Sequence, residues 1–206
     1  MPVSSHDLLG RFQRLRRLTL AILIVAAAAA LMFVSSVQDG AFHEFVEAFG
    51  IGLIGAAILG RLWCTVYIGG RKSAEIVNAG PYSITRNPLY LFSAVGALGA
   101  GAQTGSVVVA LVFGIATIAA FHVVILREER FLREVFGQPY QSYLASVPRF
   151  WPDFSLYRGV EAVVVKPTLL SRTLTDGLVF FLAVPAFETI EWAQGAGHLP
   201  VLLRLP

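Results

Sequence analysis

The sequence predicts an all-α, polytopic membrane protein with about five transmembrane helices, one pair of them a helical hairpin. Three observations carry that prediction. Apolar residues make up 56% of the 206-residue chain and charged residues only 14%, against about 45–50% and about 25% in ordinary soluble domains. Lys and Arg cluster in the segments that flank apolar runs, as membrane topology requires. The stretch from Asn87 to Leu126 carries no formal charge and is about twice the ~20 residues that one span needs. A net charge of +3 is explained by topology, so nucleic acid is not an expected partner. The single cysteine, Cys64, excludes an internal disulfide.

The chain reads as one integral membrane domain over 1–206. In residues 1–17, arginines at 11, 14, 16 and 17 alternate with Leu8, Leu9, Phe12 and Leu15 at the spacing of an interfacial amphipathic helix. Residues 18–68 hold two spans. The first is the uncharged run 18–38, which is longer than the apolar core of a secretory signal. The second runs from Glu47 to Tyr67, with Arg61 expected to snorkel to the interface beside Trp63 and Tyr67. A polar connector over 69–86 contains Arg71, Lys72, Glu75 and Arg86, with Gly69-Gly70 and Gly80-Pro81 as turn signals.

The hairpin follows. Its break lies at Gly99 to Ser106, leaving two arms near the lower length limit for a span, ~17 residues. Both ends return to the face where Arg127, Arg130 and Arg133 join Arg71, Lys72 and Arg86, so the positive-inside rule predicts a cytoplasmic N-terminus and loop face. Residues 127–157 read as helical to Phe136 and then irregular, broken by Gly137, Pro139, Pro148 and Pro152. A last probable span covers 174–192, with Pro185 inside it.

Several chemistries are absent: the sequence has no Walker loop, no Gly-x-Ser-x-Gly elbow, no dinucleotide fingerprint and no Cys/His cluster at zinc spacing. No metal ligand is therefore expected, and the scattered histidines, including His122 at membrane depth, are left outside the site. The hairpin's ends carry the concentrated signal. Gly80-Pro-Tyr-Ser-Ile-Thr-Arg-Asn-Pro-Leu-Tyr90 enters the first arm and Arg127-Glu-Glu-Arg130 leaves the second, so the two clusters should meet at one membrane face. Pro88 suits a first helical turn with Asn87 as its N-cap. Two adjacent carboxylates, Glu128 and Glu129, at the end of an apolar helix oppose the helix dipole. They call for compensation, either by Arg127, Arg130 and Arg133 or by a bound cationic ligand.

Taken together, these pieces resemble the isoprenylcysteine carboxyl methyltransferase and phospholipid methyltransferase superfamily. The likeness covers about Gly80 to Pro152 and includes the Gly99-Ala-Gly101 and Glu128-Glu129 pairs, Phe136-Gly137, Tyr140 and Tyr143. It implies a cytoplasmic cap that binds S-adenosyl-L-methionine, a lipophilic or lipid acceptor entering from the membrane, and methyl transfer of the isoprenylcysteine carboxyl type. Phospholipid N-methylation and small-thiol S-methylation are the alternatives within the superfamily. A sterol-type NADPH reductase or a non-enzymatic membrane protein are the alternatives outside it. By the resemblance, Tyr82, Asn87, Pro88, Tyr90, Gly99, Gly101, Glu128 and Glu129 line the cofactor pocket, and Tyr140 and Tyr143 close it. Arg149, with Arg86 second, is the candidate for orienting an anionic acceptor. Asn87 stands where many carboxyl methyltransferases have histidine, and it cannot act as a base.

Overall fold

A computed structural model describes residues 29–71 and 75–206. The expected amphipathic helix, most of the first expected span and Lys72 lie outside the described residues.

Residues 29–31 are helical, but the chain then turns into a short strand, β1 (Val34–Ser36), where the uncharged run to Gln38 had predicted continuing helix. β1 pairs in parallel with β2 (Leu203–Leu205), Val34 opposite Leu203. Its partner is remote in sequence, so no local pattern announces this ribbon. The second span is α1 (Ala41–Ile68), longer at both ends than predicted. A short helix α2 (Pro81–Ile84) follows the connector.

The hairpin is present, but its arms are unequal. Its first arm, α3 (Pro88–Ala102), has 15 residues, a length of ~22 Å against a hydrocarbon core of ~30 Å. The second, α4 (Val107–Phe136), has 30, or ~45 Å, and so continues well past the apolar stretch as one rigid rod. Ser106 starts it by accepting the Val109 N–H at 3.2 Å, an N-cap bond. At the hairpin turn the Gln103 side chain donates to the carbonyls of Glu47 and Gly99.

The expected irregular segment after Phe136 is itself partly helical, as α5 (Gln138–Ser146), with Pro139 tolerated in its first turn. The last span starts earlier than predicted, at Pro167. It comprises α6 (Pro167–Leu178), a 3-10 turn (Val179–Leu182) and α7 (Ala183–Gly195). Pro185 explains the turn, since it cannot donate to residue 181 and its ring crowds that carbonyl. Among the described residues, three helical stretches, Ala41–Ile68, Val107–Phe136 and Pro167–Gly195, are long and apolar enough to cross a membrane. Exposed Phe45, Leu59, Val112, Ile115 and Leu182 give these helices the outward apolar surface that lipid solvates.

α3 is the packed centre, lying against both α1 and α4, and small residues permit that. A methyl added at Gly99 would meet the Gly50 carbonyl and Ile54 on α1; one at Gly101 would meet Ala110 and Phe113 on α4. Arg61 does not snorkel. Its guanidinium donates across to Ser93 of α3, and Ser93 in turn donates to the Leu89 carbonyl.

Close packing of α3 makes a specific prediction. Gly99→Ala, which forces a methyl against backbone, should lower stability by about 1–3 kcal/mol, read as a fall in the thermal unfolding midpoint in detergent. Gly55→Ala, where an added methyl meets open space, should leave the midpoint unchanged or raise it.

Candidate active site

A cavity of about 350 Å³ opens where α2, the start of α3 and the end of α4 converge under α5, within the size range of small-molecule sites. The hairpin does bring its two ends together: Tyr82, Arg86, Asn87 and Tyr90 face Glu128 and Glu129 across this space, with Tyr140 and Tyr143 above. Its lining also includes Glu75, Ile76 and Val77 from the connector, Arg127, and Phe131, Leu132 and Phe136 along α4. Ile76 and Val77 were missed because a connector has no periodicity to mark which side chains turn inward. Phe136 and Leu132 lie one turn apart on the same helix face, a signal the sequence did contain.

Glu129 is the most constrained group. Its side chain is 5% exposed and is clasped from two directions. Arg149 Nε and Nη2 donate to its two oxygens at 3.1 and 2.8 Å, a bidentate pair, and Arg86 Nη1 adds a third contact at 3.2 Å. The carboxylate holds the Arg149 guanidinium above its usual range through these hydrogen bonds. The helix-end argument for the acidic pair is thus replaced. α4 runs on to Phe136, so Glu128 and Glu129 sit inside the helix, and the compensation for Glu129 comes from Arg86 and Arg149 instead of the neighbouring arginines of α4.

The arginine clasp is kept in place by backbone. Arg86 N–H donates to the Pro148 carbonyl at 2.8 Å and Asp153 N–H to the Ile84 carbonyl at 2.9 Å. Thr85 donates to the carbonyls of Arg149 and Phe150. Asn87 occupies the N-cap position of α3 but makes no capping bond; its amide donates to the Arg149 carbonyl at 3.2 Å. Pro88 is buried at the first turn of α3 and does not line the cavity. Residues 80–87 and 147–153 therefore form one laced unit over the mouth of the hairpin.

Aromatic hydroxyls complete the site. Burial pushes Tyr140 up to about 12 and raises Tyr82 and Tyr143 well above the ordinary phenol range, so all three stay protonated donors at neutral pH. Tyr143 donates to the Tyr82 carbonyl at 2.8 Å. Tyr82 Oη and Arg86 Nε, both on lining residues, are buried with no hydrogen-bond partner among the described residues. A buried orphan donor is costly unless something answers it.

Four predicted residues stand elsewhere. Gly99 and Gly101 lie toward the far end of α3 and serve the helix contacts described above, so the structure does not bring them to this cavity. Pro88 sits behind it. Arg149 is outside the lining, and its charge, like that of Arg86, faces Glu129 instead of an open acceptor position. His122 stacks on Phe150 with ring centroids 5.9 Å apart.

Residues 48–139 match the phospholipid methyltransferase family model. The chain is 34% identical over 185 residues to the cobalt-zinc-cadmium resistance protein CzcN of Cupriavidus metallidurans, covering 89% of this chain and 85% of that protein. It is 36% identical over 158 residues to the nickel-cobalt-cadmium resistance protein NccN of Alcaligenes xylosoxydans xylosoxydans, covering 76% and 74%. No solved structure matches significantly.

Removing one member of a buried ion cluster leaves the others uncompensated, at about 3–5 kcal/mol. Glu129→Gln should therefore destabilise the fold by about 3 kcal/mol or more, whereas Arg149→Ala, taken from a part-exposed position, should be milder. Denaturation of both single variants and the double variant checks this; purely additive losses would show that the pair is not coupled.

Proposed function

Because the chain belongs to the phospholipid methyltransferase family, we propose that it is an S-adenosyl-L-methionine-dependent methyltransferase acting on a lipophilic acceptor at the membrane. The observation that carries this reading is the cavity at the hairpin mouth. It combines buried, unanswered polar atoms on Tyr82 and Arg86, the acidic residues Glu128 and Glu129, and a set of aromatic rings. Those groups fit the cofactor's chemistry. Carboxylates accept from ribose hydroxyls or an ammonium, an orphan phenol can donate to a heteroatom, and rings of Tyr90, Tyr140 and Tyr143 attract a cationic sulfonium and cover a purine.

Bound there, S-adenosyl-L-methionine supplies an electrophilic methyl group. The chain's own task is geometric: Tyr82, Asn87 and the acidic pair orient, while Leu132, Phe136 and the α5 tyrosines exclude water. Orientation of this kind can supply about 7–11 kcal/mol of a barrier. The cofactor held by these residues would supply its methyl group to the acceptor's nucleophilic atom, and any proton that atom carries would leave to solvent or a nearby carboxylate. Ile68, Leu89 and Phe131 line the cavity's apolar side and suit an acceptor arriving from lipid.

With Arg86 and Arg149 both engaged by Glu129, we assign them as positioning residues for that carboxylate. This weakens the case for a carboxylate acceptor and favours an amine, thiol or neutral hydroxyl. The reading places the cavity on the cytoplasmic side, following the arginine distribution. The names of the two relatives carry a second reading at the cellular level, that the methylation serves resistance to divalent metals.

Calorimetric binding of S-adenosylhomocysteine to the purified protein in detergent is the direct test. Wild type should bind, Tyr82→Phe should weaken binding about threefold to tenfold, as expected for one lost hydrogen bond, and Glu128→Gln should weaken it further. A monodisperse wild type that binds none refutes the methyltransferase reading.

A further inference from the structure

We propose that His43, Glu47 and Glu191 form a divalent-metal site at the opposite end of the molecule from the cavity just described. His43 and Glu47 lie one turn apart at the start of α1, on the same helix face. Glu191 comes from the last turns of α7. His43 Nε2 stands 3.3 Å from Glu47 Oε1 and 3.2 Å from Glu191 Oε1, and the three donor atoms lie within 4.8 Å of one another.

The two histidine–carboxylate separations match the donor spacing of a metal site. With metal–ligand bonds of about 2.0–2.1 Å, neighbouring donors of a tetrahedral set are ~3.3 Å apart. The imidazole is also oriented as a ligand. Its Nδ1 is 3.2 Å from the Gln38 carbonyl, the outer hydrogen bond that fixes a ligating histidine's tautomer and aims Nε2 at the ion. The ring lies so close over Gly105 that a methyl there would collide with it, which restricts its rotation.

Access and charge agree. A cavity of about 360 Å³ reaches the site, bounded by His43, Glu191, Asp39 and Glu44, with Arg204 the cation in its lining. Glu44 and Glu188 also act on Glu47 electrostatically. Five carboxylates thus surround one imidazole and one guanidinium, a field that attracts cations. Three nitrogen and oxygen donors without thiolate suit Zn²⁺, Co²⁺ or Ni²⁺ and leave a position open for water.

Two segments distant in sequence are braced here. Gln194 donates to the carbonyls of Met32 and Val34, and Ser106 donates to the Pro206 carbonyl at 2.6 Å. An ion at the site would tie α1 to α7 across this brace, so it should raise the unfolding temperature by mass action. The assignment does not depend on methyl transfer.

The experiment uses tag-free full-length protein in detergent, with Zn²⁺ alone as probe, by equilibrium dialysis with metal analysis and by thermal unfolding. Wild type should take up one Zn²⁺ per chain and melt at a higher temperature with it. His43→Gln, Glu47→Gln and Glu191→Gln should each weaken uptake at least tenfold and lose the thermal shift, whereas Glu161→Gln, at an exposed position outside the site, keeps both. Circular dichroism and size-exclusion profiles establish that each variant is folded. The proposal is overturned if wild type takes up no more Zn²⁺ than the triple variant, if folded single variants bind as wild type does, or if wild type itself binds none.

Discussion

A carboxylate buried among helices cannot stand without counter-charge, and Glu129 satisfies that requirement by drawing in two arginines from separate parts of the chain. Arg86 precedes the hairpin and Arg149 follows α5. Meeting the demand therefore folds the segments 80–87 and 147–153 onto the end of α4, and the backbone hydrogen bonds between them follow. Tyr82, Arg86 and Asn87 of the first segment wall the cavity together with the end of α4. The interaction that stabilises the cap is thus also the one that shapes the space beneath it.

Two length constraints place this clasp. α3 is too short to cross a hydrocarbon core alone and is held by α1 and α4 through glycine contacts, which let backbones approach closely where lipid offers no hydrophobic drive. α4 is too long, so its last turns project beyond the apolar region as a rigid platform. Glu128, Glu129, Leu132 and Phe136 are arrayed along that projection.

The opposite end is organised by different forces. There the β1–β2 ribbon, the hairpin turn and the start of α1 meet α7, and the contacts are backbone hydrogen bonds and a histidine between carboxylates. One end of the bundle is thus a largely apolar, aromatic cavity around a neutralised acid. The other carries an excess of negative charge. A single helical framework separates two chemically distinct sites by the length of its spans.

Hydropathy alone determined that this chain is helical and membrane-embedded, and the charge-free stretch from Asn87 located the hairpin, because solvation by lipid is a property of composition and run length. The paired motifs at the hairpin's ends identified about half of the cavity wall, since a tight turn must return both ends to one face. Other features were decided only by tertiary structure. Gly99 and Gly101 were expected to line the cofactor pocket by resemblance, and only the packing of α1 and α4 against them identifies them as helix contacts. Arg149 looked like a free cation because its partner is distant in sequence. His43, Glu47 and Glu191 showed no metal spacing, since a site made from both ends of a chain has no local signature; it exists only where packing and backbone pairing bring those ends together.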